Sequence, residues 1–120
     1  MRLRGWIAPG PCPKVRIRSS SGRAFTVTVD TGFTGELALP FAEIRRLGFE
    51  GPVSEDPCIL ADGTVTRFPV YRGSVKWLGQ VRPVIAFGCA ADEGLLGMAM
   101  LKGTRLTVEM DRGRVAVEKV

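Results

Sequence analysis

The sequence predicts a mainly β domain built from short strands, and three observations lead to this prediction. The 120 residues include 15 glycines and eight prolines, which divide the chain into pieces too short for long helices. Most of these pieces are β-branched or alternate apolar with polar residues, which is the pattern of a strand with one buried face. The hydrophobic fraction of 45% is sufficient for one core, so we expect a single domain over residues 1–120.

Strands are predicted wherever such a run is bounded by turn-forming residues. Three pairs of runs are expected to form hairpins, because segments of the type Ser-Ser-Ser-Gly, Asp-Gly and Asp-Arg-Gly between them favour tight turns. The predicted strands are residues 14–18, 24–29, 36–39, 58–61, 64–68, 70–77, 81–87, 105–110 and 114–118.

One or two short helices complete the predicted elements. Residues 40–48 begin with Pro, carry an apolar residue at every third position and end in Gly, as helices typically do. Residues 98–102 are long enough for a single helical turn. The segments 51–56 and 88–94 contain Gly and acidic residues, and we expect them to be loops.

The composition excludes several kinds of site. The chain has no His, so Ser-His-Asp, Cys-His and His-metal chemistry cannot be built within one chain. Cys12, Cys58 and Cys89 are too far apart for a zinc or redox pair, so we expect free thiols, no metal and no other cofactor. The run 84–91 is far shorter than the ~20 apolar residues that cross a bilayer. Because the N-terminal segment also lacks the apolar region of a secretory signal, we expect no membrane contact and a cytoplasmic location.

The net charge of +5 arises in the N-terminal segment, since residues 1–29 contain six Lys or Arg and no acidic residue. Lys14, Arg16 and Arg18 alternate with apolar residues, so a strand would place three cations on one face. A small basic barrel that binds nucleic acid is therefore one alternative. A solvated strand face is favoured, because no aromatic residue is interleaved with these cations, and we expect no nucleic-acid partner.

An aspartate stands where a hydrophobic strand runs into a turn. Asp30 follows the alternating Val27 and Val29 and precedes a turn containing Gly32 and Gly35. An unpartnered buried carboxylate is costly. Asp30 is therefore expected to be partly buried and either hydrogen-bonded by Gly32 and nearby amides, protonated, or paired with another ionisable group. The alternative is an ordinary turn cap, and the tripeptide Asp-Thr-Gly alone is weak evidence against it.

The order of the motifs resembles that of the retropepsin-like (clan AA) aspartic proteases, specifically the bacterial-type members with a single Asp-Thr-Gly. Hydrophobic strands frame this tripeptide, a projecting hairpin follows, and Leu-Leu-Gly precedes a short helix, over about residues 14–118. The resemblance implies a closed barrel equivalent to half of an acid protease, with a flap hairpin. It also implies that Asp30, Thr31 and Gly32 are the catalytic residues.

The same resemblance assigns roles to residues around this tripeptide. The flap that closes over substrate corresponds to residues 59–67, with Asp62-Gly63 at its tip, and Phe33 stands where a small residue is common in the family. The residues expected to contact substrate are Phe33, Thr34, Ala61, Asp62, Gly63 and Thr64. Those expected to brace the active-site loop are Leu95, Leu96 and Gly97.

Two carboxylates are needed for this chemistry, and the chain has one Asp-Thr-Gly. The resemblance therefore implies a homodimeric endopeptidase that acts on a peptide or protein substrate, with one Asp30 from each subunit. In this family the chain ends often join the subunit interface, which here would involve residues 1–7 and 115–120. A non-catalytic dimerisation or peptide-binding module with the same fold is the alternative.

Overall fold

A computed structural model describes residues 1–59 and 62–120. This part of the chain forms strands and two short helices, which confirms the predicted mainly β fold. In chain order the elements are β1 (Arg2–Ala8), β2 (Cys12–Ser19), β3 (Ala24–Val29), β4 (Leu37–Pro40), α1 (Phe41–Leu47), β5 (Glu50–Ile59), β6 (Val65–Trp77), β7 (Gln80–Cys89), β8 (Gly94–Leu96), α2 (Met98–Leu101), β9 (Thr104–Glu109) and β10 (Arg114–Lys119).

The strands form one continuous sheet that closes on itself. Their order is β5-β6-β7-β4-β8-β3-β2-β1-β10-β9, and a further pairing of β6 with β2 joins distant parts of the sheet. Strand β8 lies between β3, to which it is parallel, and β4, to which it is antiparallel. Because Leu96 is paired with both Val29 and Leu37, residues 30–36 must pass over the carboxyl end of β8.

The core is formed by the inward faces of the central strands. In β3, and in β2 from Val15 onward, every second residue is buried, including Val15, Ile17, Val27 and Val29. This confirms the alternation seen in the sequence. Burial of each such side chain contributes roughly 1.5–3 kcal/mol, so the paired strands that end beside Asp30 are firmly held.

The helices are short, as predicted. Helix α1 buries Ile44 and Leu47 and ends at Gly48, whose φ of 73° is the left-handed conformation that favours glycine. Helix α2 is a single turn. Within residues 1–59 and 62–120, no helix combines the length and apolar character that a membrane span requires.

The predicted loop at 51–56 is wrong, because these residues belong to β5, and residues 54–56 pair with β6. Most of β5 is exposed on both faces, so it has no alternation by which a half-buried strand could be recognised. Its prolines, Pro52 and Pro57, are tolerated because β5 lies at one end of the sheet, where a strand can lack an N–H donor.

Other element boundaries also differ from the prediction. Strand β6 continues through Pro69 to Trp77 as one element, and the loop predicted at 88–94 is shortened at both ends by β7 and β8. The N-terminal segment, for which no strand was predicted, forms β1 and pairs with β10 and β2 of the same chain. The strands at the two ends of the chain thus pair with each other within one subunit.

Candidate active site

Asp30 directly follows β3 and is half-buried. Its backbone N–H donates to the carbonyl oxygen of Leu96 at 2.9 Å. Its Oδ1 accepts a hydrogen bond from the Gly32 N–H, also at 2.9 Å, which confirms that Gly32 is a partner of this carboxylate. A Cβ at position 32 would lie 3.2 Å from Asp30 Oδ1, so the glycine lets the backbone approach closely. The carboxylate is therefore oriented by its own loop.

The Leu-Leu-Gly segment lies against this loop. The Gly97 N–H donates to the Glu36 carbonyl at 2.9 Å, and the Met98 N–H donates to the Phe33 carbonyl at 2.8 Å. Leu96 is fully buried, whereas Leu95 is half-buried. The structure thus brings the Asp30 loop together with residues 95–98 through backbone hydrogen bonds at both ends of the loop.

Gly97 is required by this close contact. A Cβ at this position would overlap the Gly35 carbonyl oxygen and lie 2.7 Å from the Phe33 carbonyl oxygen. Both neighbours are backbone atoms, which cannot move aside as a flexible side chain can. Only glycine therefore fits where the two segments meet.

Phe33 packs inward from the Asp30 loop. Its ring lies 6.0 Å from that of Phe87 between centroids, and Phe87 lies 6.3 Å from Phe68 on β6. These tilted arrangements are favourable for aromatic pairs. The three rings connect the Asp30 loop to the hairpin formed by β5 and β6. By contrast, the loop residues Thr31, Gly32 and Thr34 are exposed.

The hairpin of β5 and β6 is the element predicted to be the flap. Its two strands remain paired up to Ile59 and Val65. Thr64 therefore lies just before β6, whereas the predicted strand began at Thr64. Asp62 Oδ1 accepts hydrogen bonds from the Thr64 hydroxyl at 2.6 Å and the Thr64 N–H at 2.9 Å. Both hydrogen bonds lower the pKa of the Asp62 carboxyl, and the one from the Thr64 hydroxyl has the larger effect.

Two other residues of the hairpin tip, Ala61 and Gly63, were also predicted to contact substrate. Gly63 has a φ of 86° in an exposed turn. Ala61, which was predicted to contact substrate, lies outside the described residues. Among residues 1–59 and 62–120, the hydrogen bonds of the Asp62 side chain remain within the tip.

An ion pair beneath the Asp30 loop was not anticipated from the sequence. Glu36 Oε2 lies 2.7 Å from Arg82 Nη2, and Glu36 Oε1 accepts a hydrogen bond from the Ile85 N–H at 2.8 Å. The Arg82 guanidinium also donates to the carbonyl oxygens of Ala99 and Met100, each at 3.3 Å. The pair thus links the end of the Asp30 loop to β7 and α2. A possible signal is that each residue is the single charge within an apolar run.

The N-terminal cations largely contact their own chain. Lys14 is only 8% exposed, and its Nζ lies 2.7 Å from Glu93 Oε2 and 3.0 Å from Thr28 Oγ1. The hydrogen bond and charge of Lys14 lower the pKa of the Glu93 carboxyl. The Arg16 guanidinium lies 5.8 Å from the centre of the Trp6 ring, a cation–π arrangement. Lys14 and Arg16 therefore have partners within the fold.

Two further features bear on ligands. A cavity of about 420 Å³ opens between β2, β3 and α1, and none of the predicted site residues lines it. In the part of the chain that the structure describes, no three His, Cys, Asp or Glu side chains are grouped so that they could hold a metal ion. Cys12, Cys58 and Cys89 are free thiols.

The architecture is that of a small closed β structure with an aspartate loop braced from below and a projecting hairpin. It is similar to the crystal structure of a retropepsin-like aspartic protease from Rickettsia conorii, with a TM-score of 0.70 and 14% sequence identity. That likeness covers 99% of this chain and 91% of the other. The fold is therefore retropepsin-like.

A second likeness is to the structure of the foamy viral protease-reverse transcriptase in complex with an RNA/DNA hybrid. It has a TM-score of 0.52 and 17% identity, and it covers 81% of this chain and 13% of the viral chain. This chain thus corresponds to a small part of that viral protein. No protein-family model and no curated protein sequence matches this chain.

Proposed function

We propose that this chain is an aspartic endopeptidase that works as a homodimer and hydrolyses peptide bonds in extended peptide or protein substrates. The observation that carries the proposal is the position of Asp30, in a loop held at both ends by hydrogen bonds to residues 95–98 within a retropepsin-like fold. The active unit is two copies of a single domain, residues 1–120, acting in the cytoplasm. It belongs with the bacterial-type retropepsin-like proteases that carry one Asp-Thr-Gly per chain.

The proposed chemistry requires both subunits. Two Asp30 carboxylates brought to about 3 Å cannot both ionise, so the pair holds one proton. The ionised carboxylate takes a proton from a water molecule, and that water attacks the carbon of the scissile carbonyl. The protonated carboxyl donates a hydrogen bond to the carbonyl oxygen and stabilises its developing negative charge. The proton taken from water then passes from the dyad to the peptide nitrogen as the C–N bond breaks, which releases the amine and the new carboxyl group.

The neighbouring residues have supporting roles in this proposal. Thr31 is exposed and hydrogen-bonds across the two-fold axis, and Gly32 lets the backbone lie close to the carboxylates. The segment of Leu95, Leu96 and Gly97 holds the loop in place. Substrate lies between the loop and the hairpin tip as an added strand, with contacts from Phe33, Thr34, Ala61, Asp62, Gly63 and Thr64.

A non-catalytic dimerisation or peptide-binding module is the competing function. The hydrogen bond from Gly32 to Asp30 is compatible with both functions, since it also satisfies a plain turn cap. Turnover separates them, because a module binds an unstructured protein without cleaving it.

The test is cleavage of an unstructured protein between about pH 4 and 7, the range in which a dyad with one shared proton can work. Asp30→Asn is expected to lower the cleavage rate by at least about 100-fold, because it removes the general acid and base, while thermal unfolding is unchanged. A pepstatin-type transition-state mimic is expected to inhibit the unmodified protein. Asp111→Asn, in the exposed turn after β9, is the matched control. Cleavage that persists in Asp30→Asn, or binding without turnover in the unmodified protein, contradicts the proposed enzyme.

A further inference from the structure

We propose that the outward face of strands β1, β2 and β10 binds single-stranded nucleic acid. The residues that form this surface, which we call the basic face, are Arg4, Trp6, Arg16, Arg18 and Arg114. The four arginines contact phosphates, and the Trp6 ring stacks with a base. The inference goes beyond the proposed function, because the basic face includes none of the residues assigned to peptide cleavage.

The basic face points away from the core of the protein. Exposed and half-buried residues alternate along β1, with Arg4 and Trp6 at exposed positions. Arg16 and Arg18 are the exposed residues of β2, and they alternate with buried ones. Arg114 is exposed at the start of β10, next to a buried residue. Since neighbouring residues of a strand point to opposite sides of the sheet, the five side chains lie on the solvent side.

The register of the strands brings these residues together. Trp6 lies opposite Arg114 on one side and opposite Lys14 on the other. The same register, continued by two residues, places Arg4 beside Arg16. Neighbouring strands are about 4.8 Å apart, and alternate residues of one strand are about 6.7 Å apart. The four arginines and Trp6 therefore form one continuous cluster.

The cluster keeps its positive charge. Three carboxylates border it, and each is paired with a different cation: Glu118 with Arg2, Glu93 with Lys14, and Glu109 with Arg112. Within residues 1–59 and 62–120, no carboxylate lies at ion-pair distance from the four arginines of the basic face. Grouped cations without such partners attract phosphates and release the counterions that surround a nucleic acid.

Trp6 supplies the aromatic surface that β2 lacks. No aromatic residue stands between the cations of β2 in the sequence, but β1 lies beside β2 and places Trp6 among them. The Trp6 side chain is 37% exposed, and the Arg16 guanidinium lies 5.8 Å from the centre of its ring. Bases of single strands stack on aromatic rings and on guanidinium planes. An aromatic ring among cations therefore distinguishes this face from a merely solvated basic strand.

Other polyanions fit this face less well. The outward positions of β1 and β10 between the charged residues include Ala8 and Ala116. Besides Trp6, these two fully described strands thus present no bulky apolar side chain on this side that could enter a lipid layer. The bases of a duplex are stacked inside it, whereas those of a single strand are free to reach a protein ring. We therefore assign a single strand to the basic face.

The test measures how the full chain binds a fluorescein-labelled oligothymidylate of about 15 nucleotides, by anisotropy at several NaCl concentrations. Each phosphate contact on a single strand contributes about −0.7 to the slope of log Kobs against log salt. Three or four contacts therefore predict a slope of about −2 to −3. Arg16→Gln and Arg114→Gln are each expected to make the slope shallower by about 0.7. Arg72→Gln, an exposed change on β6, is the matched control and leaves the slope unchanged.

Trp6→Leu separates stacking from charge. This variant is expected to bind about 5-fold more weakly or worse at every salt concentration, with an unchanged slope, because the ring carries no charge. Trp77 is buried, so quenching of tryptophan fluorescence by the oligothymidylate reports on Trp6 and is expected to vanish in Trp6→Leu. Thermal unfolding shows whether each variant is folded. Arg114→Gln leaves the contact of Arg16 with Trp6 in place, so it tests the charges independently.

An unmodified chain that binds no oligothymidylate at low salt overturns the proposal, and so does a slope that both Arg16→Gln and Arg114→Gln leave unchanged. Heparin, a polyanion without bases, is expected to compete without quenching Trp6. Binding that Trp6→Leu does not weaken indicates a general polyanion surface and contradicts the assignment. Tighter binding to phosphatidylserine vesicles than to oligothymidylate also contradicts it. Asp30→Asn is expected to bind like the unmodified protein, so the outcome does not depend on peptide cleavage.

Discussion

Glu36 and Arg82 form an ion pair at 2.7 Å that joins segments far apart in the chain. Glu36 also accepts the Ile85 N–H, and Arg82 donates to carbonyl oxygens at the end of α2. The pair thus joins the end of the Asp30 loop, β7 and the helix that follows Gly97. Both side chains are partly shielded from water, so their hydrogen bonds are stronger than those of a surface pair.

We expect Arg82→Ala to lower the free energy of unfolding by about 1–3 kcal/mol, because charged hydrogen bonds are lost and Glu36 keeps its charge without a partner. Glu36→Gln should be less costly, since the amide oxygen can still accept the Ile85 N–H. Urea denaturation measures both, and Arg72→Ala, an exposed change on β6, is the control. Additive effects in the double variant would show that the two side chains are not coupled.

Gly97→Ala is expected to destabilise the chain by about 1–3 kcal/mol, the usual cost of forcing extra volume into a packed site. The added methyl group would overlap backbone oxygens of the Asp30 loop. Gly103→Ala is the comparison, because position 103 has open space but a φ of 77°. Its cost should be confined to backbone conformation, about 1–2 kcal/mol. Denaturant unfolding measures both costs, and a cleavage assay is expected to show that only Gly97→Ala reduces activity.

Glu93→Gln is expected to reduce stability near neutral pH and to have little effect in acid. Lys14 lowers the pKa of the Glu93 carboxyl, so the ion pair stabilises the fold fully above the ordinary Glu pKa of about 4.3. This contribution is lost as the pH falls through the lowered pKa of the folded state. Thermal unfolding of both proteins from pH 7 down to pH 3 measures the difference. Asp92→Asn serves as the control, and a difference that does not change with pH would contradict the assignment.

Mixing Asp30→Asn with the unmodified protein is expected to inhibit cleavage. If each active site uses one Asp30 from each subunit, mixed dimers are inactive. At equal concentrations about half of the unmodified chains are then in mixed dimers, since two-fold pairing is random. The initial rate of cleavage at a fixed amount of unmodified chain should fall accordingly. A rate that is unchanged under conditions where the mixed dimer is shown to form would mean that one Asp30 suffices.

The parts of the fold that were predicted correctly have a signal in adjacent residues. Strands β2 and β3 bury one face and therefore alternate, and α1 lies between Pro40 and Gly48. Strand β5 was missed because most of it is exposed on both faces. Strand β1 was missed because its pairing with β10 joins the two ends of the chain. Long-range pairing of this kind leaves no local pattern.

In the candidate site, too, the features that could be predicted are local in the sequence, and those that could not are long-range contacts. Asp-Thr-Gly at the end of a hydrophobic strand is a local arrangement, and the hydrogen bond from Gly32 to Asp30 spans two residues. The ion pair of Glu36 with Arg82 spans 46 residues, and nothing in either neighbourhood specifies the other residue. The two residues meet because β4 and β7 lie side by side in the sheet.

The sequence by itself determined a mainly β chain with an aspartate in a glycine-containing turn, because alternation and turn chemistry act over a few residues. The family resemblance implied that Leu96 and Gly97 brace the loop of that aspartate, but only the tertiary structure decided how they do so. Strand β8 is inserted between β3 and β4, and it forms parallel and antiparallel ladders on its two sides. Such an insertion depends on the packing of the whole sheet, so the loop that holds Asp30 is shaped by residues more than half the chain away.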